Sequence, residues 1–151
     1  MMDYLYFDDF AVGDQAETPA ITVTEAEIID FATKFDPQPM HTDPEAAKSI
    51  TGGLIASGWH TASLSMRLLL MAQGKPSAGG TLGLGLEKLK WTQPVRPGDA
   101  LHARVQVAAA RASNSMPGKG IITSHVVTLN QRDEPVVEFT TSAIFPMRPS
   151  E

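Results

Sequence analysis

From Ser57 onward the residues Trp59, Ala62, Leu64, Met66, Leu68, Leu69 and Leu70 make the chain apolar on nearly every side of a helix. That is the pattern of a helix enclosed by protein, not one lying on a surface. What comes after it narrows the fold further. Beyond a glycine-containing loop at 74–80, strand-like stretches run over 81–91, 100–110, 120–130 and 136–145, divided by the turns Pro94-Val95-Arg96-Pro97-Gly98-Asp99 and Gln131-Arg132-Asp133-Glu134. Long strands joined by short turns pair antiparallel, with helices segregated to one face. The expected class is therefore α+β: about five strands in one antiparallel sheet wrapped around a central buried helix.

The N-terminal part supplies shorter elements. Residues 1–13 read as an entry segment, and 15–23 as a first strand through Ala16, Ile21 and Val23. Thr24 and Glu27 have the spacing of a capping box, so a helix starts there and keeps Ile28, Ile29, Phe31, Ala32 and Phe35 on one face. Pro37 limits that helix and leaves Asp36 at its exit. Asp43 followed by Pro44 predicts a second, short helix that Gly52-Gly53 ends. The end, 148–151, reads as a short frayed tail.

At 151 residues the chain is expected to form one domain, 1–151. Zero cysteines exclude disulfides, thiol catalysis and thiolate metal sites. A formal charge of −5 without a basic cluster disfavours nucleic acid as a partner. The N-terminus lacks the basic and apolar regions of a secretory signal. The stretch 54–72 is interrupted by Ser57, His60, Thr61, Ser63, Ser65 and Arg67 and makes a poor membrane span. The expectation is a soluble, cytoplasmic protein.

Two neighbouring motifs carry the chemistry. Asp36-Pro37-Gln38-Pro39-Met40-His41 puts a carboxylate and an imidazole on a proline-stiffened loop, and Gly53-Leu54-Ile55-Ala56-Ser57-Gly58 opens the apolar helix. A general acid/base pair beside a helix N-terminus suits reactions on a carbonyl or thioester, where protons move and an enolate oxygen must be held. Each residue also has a structural alternative. Asp36 can form a helix-terminal turn, His41 can be a hydrogen-bonded structural histidine, and Gly58 can simply allow tight helix–sheet packing. Ser57 is expected to cap the central helix through its hydroxyl, Gln38 to orient the loop or touch substrate, and Ser63 to face the site. His60, His102 and His125 are read as core or surface positions, and no metal site is expected.

Taken together with the Pro94-to-Asp99 turn, these motifs resemble the MaoC-like dehydratases, a family that includes the (R)-specific enoyl-CoA hydratases and has a hotdog fold. The resemblance runs over nearly the whole chain. Two positions depart from it: Gln38 stands where the family often has Asn, and Ser57 where it often has His.

The resemblance implies a hydro-lyase that reversibly hydrates an enoyl-CoA or dehydrates a 3-hydroxyacyl-CoA. Asp36, His41 and Gly58 would be the catalytic residues, and Gln38, Ser57 and Ser63 the candidate substrate-binding ones. It implies no cofactor beyond the coenzyme A of the substrate. A thioesterase on the same fold and a non-catalytic acyl-thioester-binding protein are the alternatives. Lys88, Lys90, Arg96 and Arg104 are the cations available for coenzyme A phosphates but read as solvated surface and are not counted as site residues, with Lys88 and Lys90 expected on one strand face with Leu84 and Leu86. The strands 81–91 and 100–110 carry few of the devices that blunt an edge, so a homodimer is expected. The alternative is a monomer whose edge is covered by 1–13.

Overall fold

In a computed structural model, which describes residues 1–150, Thr24 acts as the expected helix start. Its Oγ1 accepts from the Glu27 amide at 3.2 Å, while the Glu27 carboxylate accepts from the Thr24 amide at 3.5 Å. This capping box opens α1, Glu25–Phe35, which buries Ile28 and Ala32 and ends at Asp36. The chain then differs from the expected plain loop. Residues Pro39–Thr42 form a single helical turn, α2, with proline at its first position, and the Gln38 carbonyl accepts from the His41 amide at 2.9 Å. Asp43 caps α3, Pro44–Thr51, by accepting from the Glu45 and Ala46 amides, and Gly52 closes it in the left-handed conformation at φ 71°.

The first strand is broken in two. β1, Gln15–Glu17, and β2, Ile21–Thr22, both pair antiparallel with β4, Ala100–Ala112. Glu17 opposes Arg104 and Ile21 opposes Leu101, so an extra residue sits between the two pairings. Pro19 lies there, with no N–H to give to a ladder. Thr18 replaces the missing pairing by accepting from the Ala103 amide through its hydroxyl at 2.8 Å.

The remaining strands are β3, Leu82–Trp91, β5, Lys119–Leu129, and β6, Pro135–Pro146. They complete a six-stranded antiparallel sheet in the order β1-β4-β5-β6-β3, with β2 beside β4. Alternation along β5 sends Ile122, Ser124, Val126 and Thr128 to the inner face. Against that face lies α4, Gly58–Gln73, whose Leu68 is wholly buried and whose Ser65 hydroxyl meets that of Thr128 at 2.7 Å. Leu68 and its neighbours Val126, Val136 and Phe139 form the centre of the core. Each such side chain contributes about 1.5–3 kcal/mol through burial.

Three expectations need correction. First, α4 is not enclosed on every side: Trp59, Met66 and Leu70 are 59%, 42% and 52% exposed. The apolar pattern records composition, and the face of this helix that carries these three stays partly open to solvent. Second, β4 is no edge, because β1 and β2 lie on one side of it and β5 on the other. The bare edge is β3, which exposes Leu82, Leu84, Leu86 and Trp91. Third, β3 does carry irregularities, between Gly83 and Gly85 and between Glu87 and Lys90, the second including Lys88 at φ 54°. Such a break interrupts the alternation on which a shared face for Lys88 and Lys90 rested.

Candidate active site

The two motifs meet where α1 ends and α4 begins. Helix α1 delivers Asp36, whose amide still bonds the Ala32 carbonyl at 2.8 Å, and the single turn of α2 delivers His41. The segment leading to Gly58 is laced to both sides: the Ile55 amide donates to the Met40 carbonyl at 3.0 Å and the Ala56 amide to the Val95 carbonyl at 2.8 Å. The second of these comes from the Pro94-to-Asp99 turn, which is held by Asp99 accepting from the Arg96 amide at 2.9 Å. The two motifs and the more distant Pro94-to-Asp99 turn become one structure through backbone hydrogen bonds.

His41 is buried, and its Nδ1 lies 2.8 Å from the Ile55 carbonyl oxygen. A carbonyl only accepts, so Nδ1 carries the proton and, in the neutral ring, Nε2 presents a lone pair. Nε2 faces Asp36 Oδ2 at 3.5 Å. Asp36 accepts from the Ser57 hydroxyl at 2.6 Å through Oδ2 and from the Gln38 amide at 2.6 Å through Oδ1. These bonds, Ser57 first and Gln38 next, hold its carboxyl below the ordinary aspartate range, with partial burial opposing and His41 adding to the lowering. When the ring is neutral, the ionised carboxylate and the free imidazole nitrogen are two acceptors beside one space. That arrangement suits a water donating both its hydrogens.

Ser57 differs from expectation. It stands at the N-cap of α4, but its side chain makes no cap hydrogen bond; it is wholly buried and donates to Asp36. A carboxylate is the stronger acceptor, so the hydroxyl is used as a donor to it. The one hydrogen of the Ser57 hydroxyl is thus committed to Asp36. Gln38 is exposed and donates its side-chain amide to Asp36. Ser63 lies elsewhere: it is exposed, and its hydroxyl donates back to the Trp59 carbonyl at 2.8 Å.

Gly58 lies in the first turn of α4, where helix amides lack intrahelical acceptors. It lines a cavity of about 290 Å³ with His41, Thr61, Trp91, Gln93 and Val95. There is also a packing reason for glycine. A Cβ at this position would stand 2.6 Å from Cε2 and 2.8 Å from Nε1 of Trp91. Trp91 was not foreseen, and nothing local in the sequence marks it, because its partner is a backbone atom of a distant helix.

The other candidates lie outside this site. Arg96 donates to the Thr51 carbonyl at 2.8 Å, and Arg104 lies 3.4 Å from Glu17 and 3.8 Å from Asp133. His102 and His125 pair with surface carboxylates, and His60 stacks on Phe31 at 4.8 Å with its pKa lowered by burial. A second cavity of about 300 Å³, lined by Leu5, Phe10, Leu69, Val107, Ile122 and Phe145 among others, shares no residue with the one at His41. No helix among the described residues is long and apolar enough to cross a membrane.

Comparison with known proteins gives the family. The chain is 32% identical to YdeM of Bacillus subtilis, a protein of uncharacterized function, over 91% of this chain and 96% of YdeM. A MaoC-like dehydratase from Rhodospirillum rubrum is 47% identical with a TM-score of 0.86, over 97% of this chain and 99% of that one. An (R)-hydratase from A. caviae involved in PHA biosynthesis is 27% identical with a TM-score of 0.73, over 91% of this chain and 98% of that one. The family model for the MaoC like domain matches residues 9–129, and the chain belongs to the MaoC-like dehydratase family, with its hotdog fold.

Proposed function

We propose that the protein is a hydro-lyase that reversibly adds water to an enoyl-CoA, giving a 3-hydroxyacyl-CoA. The observation that carries this reading is the convergence of two acceptors, Asp36 Oδ2 and His41 Nε2, 3.5 Å apart, with His41 lining the same cavity as Gly58 in the first turn of α4. A water held by both acceptors adds its oxygen to the β-carbon and gives one proton to the pair. The pair returns one proton to the α-carbon, so that both groups end as they began. Between these events negative charge rests on the thioester oxygen, and the Gly58 amide at the positive end of α4 is the donor for it. Kinship with the family that contains the A. caviae (R)-hydratase supports the same reaction class. The site as read needs no cofactor other than the coenzyme A of the substrate, and the setting is the cytoplasm.

The test follows crotonyl-CoA. Loss of enoyl absorbance without release of free thiol is expected. Thiol release with the double bond intact would make the protein a thioesterase, and tight binding with neither change over a range of acyl lengths would make it an acyl-thioester-binding protein.

A second copy completes the assembly in this reading. The uncovered β3 edge and the exposed Trp59, Met66 and Leu70 of α4 are apolar surface on neighbouring elements of one chain. Such an edge invites pairing. Residues 1–13 do not cover it: Leu5 bridges Ser77 and Gly13 bonds Val107, away from β3. Light scattering at micromolar concentration is expected to give the mass of a homodimer or a multiple of it, and a stable, fully active monomer would overturn the reading.

A further inference from the structure

The start of α4 has no side-chain cap, yet two side chains from outside the helix hold it. Ser57 ties the residue before Gly58 to Asp36. On the opposite side the indole N–H of Trp91 donates to the Gly58 carbonyl at 2.7 Å, and its ring lies so close over Gly58 that no side chain fits between them. Trp91 is itself well anchored. It ends β3 opposite Val137, and the next residue, Thr92, donates its amide to the Val136 carbonyl at 3.0 Å and its hydroxyl to the Pro135 carbonyl at 2.6 Å. The ring also meets Trp59 edge-on at 5.4 Å. Even so it stays 44% exposed and lines the His41 and Gly58 cavity. A core residue would be covered; this one is rigidly held with a free face at the mouth of the site.

We propose that Trp91 is a positioning residue: it sets the Gly58 amide against the Asp36 and His41 pair, and its free face is the wall on which the thioester lies. This rests on the hydratase reading for the first part only. Gly58 is then held on both flanks: the residue before it, Ser57, is tied to the Asp36 carboxylate, and its own carbonyl, in the peptide after it, is tied to the sheet through Trp91. The amide that meets developing charge is thereby oriented before substrate arrives, which is the condition under which such a donor accelerates a reaction.

Trp91→Phe keeps an aromatic face and removes the N–H. In a wild-type protein that hydrates crotonyl-CoA, this variant is expected to lose about tenfold in kcat while KM changes less than about twofold and the thermal midpoint stays close to wild type. An unchanged kcat, or a loss that follows the fraction unfolded, would overturn the positioning role while leaving the hydratase reading intact. The wall is tested without turnover. Trp59→Phe leaves Trp91 as the one tryptophan, and its emission is expected to shift when saturated butyryl-CoA is added to occupancy checked by calorimetry. No shift at full occupancy would overturn the contact, whether or not the wild type proves to be a hydratase.

Discussion

Asp36→Asn and His41→Ala are each expected to lower the proposed hydratase turnover by about two or more orders of magnitude, the scale for removing a positioned acid or base. The asparagine variant keeps the size and the helix-exit backbone bond to Ala32 but replaces an acceptor with an amide that donates on one side. A water between that amide and His41 would lose one of its two acceptors. His41→Ala removes the other acceptor together with the bond to the Ile55 carbonyl, so it loosens the loop as well as the chemistry. Rates with crotonyl-CoA, measured beside thermal melts, separate these effects, and near-normal turnover in either folded variant removes the proposed mechanism. The stability effect has a definite sign. A carboxylate whose folded pKa lies below its unfolded one stabilises the fold above the ordinary aspartate pKa, and that contribution fades as pH falls through the lowered value. Any stability that Asp36→Asn forfeits therefore shows at neutral pH and shrinks in acid.

Ser57→Ala is expected to cost on the order of ten- to a hundredfold in turnover, the range over which small misplacement of a reacting group acts. The hydroxyl is wholly buried and makes the bond that most strongly holds Asp36 in its ionised form. Without it Oδ2 loses its donor, the carboxylate is free to rotate away from His41, and its pKa rises toward the ordinary aspartate value. Titration of the Asp36 carboxyl carbon by NMR reads that rise directly, and it is a change that mere loosening of the helix start would not produce in the same direction. An unmoved Asp36 titration would show that Ser57 serves packing alone.

Local signals proved the legible part of the chain. Thr24 with Glu27, Asp43 with Pro44, and Gly52 act on amides within a few residues, so the sequence window that contains them contains their physics. The family motifs were legible for the same reason, since Asp36 and His41 lie on adjoining short elements whose prolines set the backbone. Ser57 was misread because an N-cap serine ordinarily accepts from its own helix, and only a carboxylate brought in from another element changes its role. Ser63 shows the complementary case: one helix position decides which face a hydroxyl shares, and Ser63 lies on an exposed one.

The sequence by itself thus determined the class of fold and the bounds of α1 and α3, and it marked Asp36 and His41 as neighbours, because periodicity, caps and proline geometry are short-range. Tertiary structure alone decided that β4 is interior and β3 the open edge, that α4 has an uncovered face, and that Trp91 lies on Gly58. Those outcomes depend on which strand returns beside which, and on contacts between backbone atoms that look alike in every residue. A side chain's partner across the sheet is set by packing of the whole, and no local pattern encodes it.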